Sequence, residues 1–138
     1  MRGNAGNPGV QEGFFGEVKD ILSAYEYLSK LKHINKKQIY LGGHSTGATL
    51  VLLVAASTDK FKSIFAFGPV EDPLNYGANY AYHDVKNKLE NQLRAPINFV
   101  SSIKSPTYII EGSKGNIGSL LAFKKASKNV PALGFNKY

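Results

Sequence analysis

Cysteine is absent from the 138 residues. Disulfides and thiolate chemistry are therefore excluded, and a reducing, cytoplasmic location is expected. Long apolar runs are absent too. The longest, Leu50 to Ala56, falls far short of the ~20 residues that a membrane-crossing helix needs, so no membrane partner is expected. The N-terminus has no basic stretch followed by an apolar core, and no secretory leader is expected. Arginine, the stronger reader of phosphates and bases, occurs only as Arg2 and Arg94 although the net charge is +7. That charge comes from dispersed lysines, several of them where a cation meets the negative end of a helix dipole. No concentrated basic patch forms, so no nucleic-acid partner is expected. No metal-ligand spacing occurs among the histidines and acids, and neither a metal nor a cofactor is expected.

What is present reads as one α/β domain spanning residues 1–138. Residues 1–13 are a glycine-rich loop. Gly3, Gly6 and Gly9 recur by three, but no strand precedes them and no Gly-Lys-Ser/Thr follows, which excludes a phosphate cradle. From Phe14 to Leu31 apolar residues recur at three and four, predicting an amphipathic helix. A strand is predicted over 38–42, a buried helix through Leu50–Ala56 and a strand over 63–67 closed by Gly68-Pro69. A long loop with Tyr76, Tyr80 and Tyr82 covers 70–84 and suits the wall of a pocket. A polar helix over 85–93, a linking segment over 97–103, a strand over 106–112, a helix over 117–127 and a fourth strand over 132–138 complete the chain.

Strands alternating with helices predict a mainly parallel sheet of about four strands with right-handed crossovers. The strands are apolar without polar alternation, which predicts a three-layer sandwich with helices on both faces.

The element Gly43-His44-Ser45-Thr46-Gly47 carries the chemistry. It is a G-x-S-x-G sequence where a short apolar strand meets a helix. Such a turn crowds its neighbours, so Gly43 and Gly47 are expected to relieve clashes while Ser45 takes a strained conformation. Ser45 is the candidate nucleophile. The N–H of Thr46, at the helix start, is the candidate oxyanion donor.

This order of elements resembles the α/β-hydrolase fold, and more closely the serine peptidases and esterases of the prolyl oligopeptidase family. Arg2 through Gly9 is similar to that family's glycine-rich loop. Glu17-Val18-Lys19-Asp20 with Ala24 through Leu28 resembles the helix before the nucleophile. Gly42 through Ala48 resembles the nucleophile turn, and Phe67-Gly68-Pro69 and Ser105 through Gly112 resemble the next two strand ends. The resemblance implies hydrolysis of a peptide or small ester through an acyl-enzyme at Ser45. It also implies that the first four strands of the fold would precede Met1 and that a catalytic histidine would follow Tyr138.

The acid of that family follows the strand ending at Gly112, near Gly115 and Asn116, and no aspartate stands there. Asp72, beyond the strand ending at Phe67, is the alternative acid; it also suits a turn before Pro73. Glu111 could face the site or be a strand-end charge. His44 points the wrong way to be a base for Ser45, His83 lies in the long loop and His33 sits at a helix end. A serine without an adjacent base is a weak nucleophile. The expectation is a hydrolase domain with little activity in this chain; the alternative is a non-catalytic binding or assembly module on the same scaffold. The strand holding Leu41 would have one unpaired edge, so self-association through that edge is expected.

Overall fold

The apolar runs around Leu41, Phe65, Ile109 and Phe135 extend and pair side by side in chain order. In the computed structural model, which describes residues 1–77 and 82–137, they form β1 (Leu41–His44), β2 (Ile64–Phe67), β3 (Thr107–Glu111) and β4 (Leu133–Lys137). All three pairings are parallel, in the order β1-β2-β3-β4. The helices are α1 (Gly16–Lys30), α2 (Thr46–Ser57), α3 (Lys88–Arg94) and α4 (Ile117–Ala126). The α/β architecture with a four-stranded parallel sheet is as expected. Asn79, Tyr80 and Tyr138 lie outside the described residues. Among the described residues no helix is long and apolar enough to cross a membrane.

Several boundaries moved, and two of them show the local reason. Phe14 has φ +75°, a left-handed conformation no α-helix accommodates, so α1 begins at Gly16 rather than Phe14. The Asn35 side chain accepts the N–H of Lys37 and turns residues 36–38 into a 3-10 helix, so the ladder starts at Leu41 rather than 38. The linking segment also gained structure, a 3-10 helix over Pro96–Ser102.

One core holds the chain together. Val51, Leu52 and Val54 of α2 meet Ile64, Ala66 and Ile109 of the sheet, Val100 and Ile103 of the 3-10 segment, and Leu120 and Phe123 of α4. Val18, Ile21, Leu22 and Tyr25 bring in one stripe of α1. Each strand adds beside its predecessor in one direction, and right-handed crossovers in that order all pass over the same face. Helices α1, α2 and α4 accordingly pack on one face, and the second helical layer of a three-layer sandwich is not among the described residues. Burial alternates along β2 and β3 for this reason: Ile64, Ala66, Thr107 and Ile109 are buried, while Phe67 and Tyr108 stay 43% and 41% exposed. On the open face Phe65 and Tyr108 stack at 5.4 Å. A Cβ at Gly134 would lie 2.9 Å from the Tyr108 ring, which leans over β4.

Candidate active site

β1 ends at His44 and α2 begins at Thr46, so Ser45 alone makes the turn between them. It has φ +54° and ψ −119°. A non-glycine residue in such a region costs about 1–3 kcal/mol and persists only where its surroundings enforce it. They do so here through the backbone. The Ser45 N–H donates to the Phe67 carbonyl of β2 at 2.9 Å, and the Ser45 carbonyl accepts the N–H groups of Ala48 and Thr49 at 2.9 and 3.1 Å.

The two flanking glycines have different duties. A Cβ at Gly43 would lie 2.3 Å from the Gly47 carbonyl oxygen, so only glycine lets the strand pass under the first turn of α2. A Cβ at Gly47 would meet no atom within 4 Å, and the steric need expected there does not exist. Gly47 instead borders a cavity of about 400 Å³, together with Phe14, Thr46, Leu50 and Tyr82. The Thr46 N–H, at the first position of α2, is among those that intrahelical bonding leaves over, at the positive end of the helix dipole.

The Ser45 hydroxyl is hydrogen-bonded to the phenol of Tyr76. Tyr76 ends the 3-10 helix Pro73–Tyr76, and its oxygen lies 2.9 Å from Oγ1 of the fully buried Thr49. The Val70 N–H donates to that Thr49 oxygen at 3.0 Å. The Thr49–Tyr76 bond can run in either direction, and the Thr49 hydroxyl also lies 3.5 Å from the Val70 carbonyl. Burial pushes the Tyr76 phenol above its ordinary range, so it is neutral near pH 7 and no base. Phe14, held at its positive φ, stacks on the Tyr76 ring at 6.4 Å. Nothing in the sequence marked Tyr76 beyond its place in an aromatic-rich loop.

The histidines stand elsewhere. Among the described residues none of the three is hydrogen-bonded to Ser45. Strand alternation puts His44 on the open sheet face, beside Phe67. His83 Nε2 pairs with Asn91 Oδ1 at 2.7 Å, and His33 is exposed after α1. Asp72 caps the 3-10 helix by accepting the Leu74 N–H at 2.9 Å on Oδ1, its turn-forming reading. Glu111 closes β3 and is 7% exposed. Its Oε1 accepts the Gly112 N–H at 2.9 Å, and a Cβ at Gly115 would lie 2.1 Å from that oxygen. The Glu111 carboxyl thus fills the space where a side chain at position 115 would begin. Among the described residues no three histidine, cysteine or acidic side chains group to hold a metal.

Residues 15–114 match the sequence pattern of the prolyl oligopeptidase family. The chain belongs to that family. Prolyl oligopeptidase relatives share its fold in solved structures. A puromycin-hydrolyzing peptidase from Mycobacterium tuberculosis superposes with a TM-score of 0.80 at 13% identity, over 92% of this chain and 22% of that one. Dipeptidyl peptidase 4 from Porphyromonas gingivalis gives 0.75 at 19% identity, over 91% and 19%. The acylaminoacyl peptidase of Pyrococcus horikoshii gives 0.73 at 15%, over 91% and 23%. The chain spans about a fifth of the length of these structures. No curated protein matches it by sequence. It is a hydrolase-like domain of the prolyl oligopeptidase family, built on the α/β-hydrolase fold.

Proposed function

We propose that this chain carries the nucleophile of a serine hydrolase that cleaves a peptide or small ester through an acyl-enzyme at Ser45. The observation that carries the reading is the enforced positive φ of Ser45 at the start of α2. Such strain in a non-glycine residue, at the carboxyl edge of a parallel sheet, is the signature of a nucleophile held out for attack. Thr46 supplies one N–H to the developing oxyanion, and family membership supports the assignment. The cavity beside Thr46 and Gly47 leaves room for a substrate side chain. Asp72 remains the acid that its position beyond β2 suggests, since its capping bond uses Oδ1 alone. A cytoplasmic location, suited to a cysteine-free chain, belongs to the same reading.

Activity of this chain by itself is low in this reading, because among the described residues a neutral phenol and no imidazole bonds the Ser45 hydroxyl. That same contact favours a second reading, a non-catalytic binding or assembly module. A fluorophosphonate probe separates the two. Slow labelling of the folded chain, abolished by Ser45→Ala, is expected. A folded chain that never reacts, at any probe concentration, establishes the second reading instead.

A further inference from the structure

We propose that Glu17 makes the cavity beside Thr46 and Gly47 a subsite for a basic side chain, so that the preferred peptide or small ester carries a lysine-like group near the bond it loses. The inference rests on the serine-hydrolase reading above and names the substrate class of that same site.

Glu17 lines the cavity from the first turn of α1 and is 6% exposed. Its Oε1 accepts the Glu12 N–H at 2.8 Å. Its Oε2 is buried with no hydrogen-bond partner among the described residues, and no ion pair among them includes Glu17. Acidic side chains are almost never so buried unless they are paired. The helix dipole accounts for a carboxylate in a first turn, and the Glu12 bond occupies one oxygen. Neither gives the other oxygen a partner.

The cations already at this wall are committed elsewhere. Arg2 lines the same cavity, but its Nε and one terminal nitrogen donate to Asp20 at 3.2 and 2.9 Å, and the other terminal nitrogen donates to Glu12. That cluster holds one guanidinium for two carboxylates and has no charge to spare for Glu17. The Met1 ammonium acts on Asp20 as well.

The rest of the wall suits an aliphatic stem with a charged tip. Phe14 and Leu50 are apolar, and a lysine stem packs along such surface while its head stays with a polar partner. The Tyr82 ring, on the same wall, attracts a cation to its face. About 400 Å³ is ample for a four-carbon stem. Thr46 borders the cavity directly after the nucleophile, so a substrate held at Ser45 has a side chain within reach of it. The net charge of +7 repels cationic substrates at long range, so any preference for one has to come from a local acid.

Two fluorophosphonates test this on the full chain, one with a five-carbon tail ending in an ammonium and one whose tail ends in a hydroxyl. The ammonium probe should label Ser45 about tenfold faster, at the lower end of what a hydrogen bond to a charged group contributes. In Glu17→Gln the two rates should converge. Glu26→Gln removes an equal charge outside the cavity and should keep the preference. In the parent chain n-butylammonium chloride should slow the ammonium probe, and sodium chloride at the same concentration should slow it less; this comparison serves if Glu17→Gln does not fold. Equal rates of the two probes in the parent, a preference that survives Glu17→Gln, equal losses in Glu17→Gln and Glu26→Gln, or equal effects of the two salts would overturn the inference while leaving Ser45 a nucleophile. Absence of labelling by either probe would overturn the serine-hydrolase reading and this inference with it.

Discussion

Ser45 and Tyr76 meet hydroxyl to hydroxyl at the carboxyl edge of the sheet. That bond matters for chemistry. Val70 donates its N–H to Thr49, and the Thr49, Tyr76 and Ser45 hydroxyls are bonded in a row, so the serine hydroxyl is already engaged before a substrate arrives. The phenol therefore damps the nucleophile.

Tyr76→Phe should release it. One neutral hydrogen bond is worth about 1 kcal/mol net, so fluorophosphonate labelling of Ser45 should rise about fivefold. The Phe14 stack survives in this variant, and chemical denaturation should report a loss of no more than about 1.5 kcal/mol. An unchanged or slower labelling rate would mean that the phenol does not restrain Ser45.

The glycines of the Ser45 turn should separate in a stability measurement. Gly43→Ala places a Cβ on the Gly47 carbonyl, and the strand must move away from α2; a loss of about 3 kcal/mol or failure to fold is expected. Gly47→Ala meets open space inside a helix and should gain about 0.5 kcal/mol. Urea melts of the two variants check this, and equal losses would refute the asymmetry.

Acid sensitivity should track the N-terminal loop. Hydrogen bonds from the Arg2 guanidinium and from the Arg2 N–H hold the Asp20 carboxyl below its usual range. A carboxylate with a lowered folded-state pKa contributes stability above its unfolded value and loses it as pH falls through the lowered folded value. Asp20→Asn should therefore be destabilised at pH 7, and its difference from the parent should shrink below about pH 4. A difference that stays constant from pH 7 to pH 3 would show that the contact is not electrostatic.

Among the described residues β1 has a hydrogen-bonded neighbour on one side only, and Tyr40, 53% exposed, directly precedes it. Exposed apolar edges of this kind recruit another chain. We expect concentration-dependent association in sedimentation velocity, weakened by Tyr40→Lys. A parent chain that stays monomeric at every concentration would exclude it.

The Ser45 turn was legible because every requirement is local. A β-prone run, a glycine that must pass beneath a helix, a serine forced to φ +54° and a uniformly apolar helix all lie within residues 39–56. Strand identities were legible for the same reason, since apolar runs bounded by glycine and proline have few alternatives. Boundaries shifted where a side chain or a left-handed residue intervened, as at Asn35 and Phe14.

Local patterning could not say which faces of the sheet are covered. Phe65, Phe67 and Tyr108 are as apolar as Ile64, Ala66 and Ile109, and only the strand order, with one-handed crossovers, sends the helices to one side and leaves the other side's aromatics partly exposed. Local sequence settles that residue 45 is a serine held in a strained turn, because backbone sterics act over a few bonds. Folding decides what that serine touches. Tyr76 arrives from a loop after β2 and meets Thr49 in the first turn of α2, and no spacing in the chain encodes that meeting.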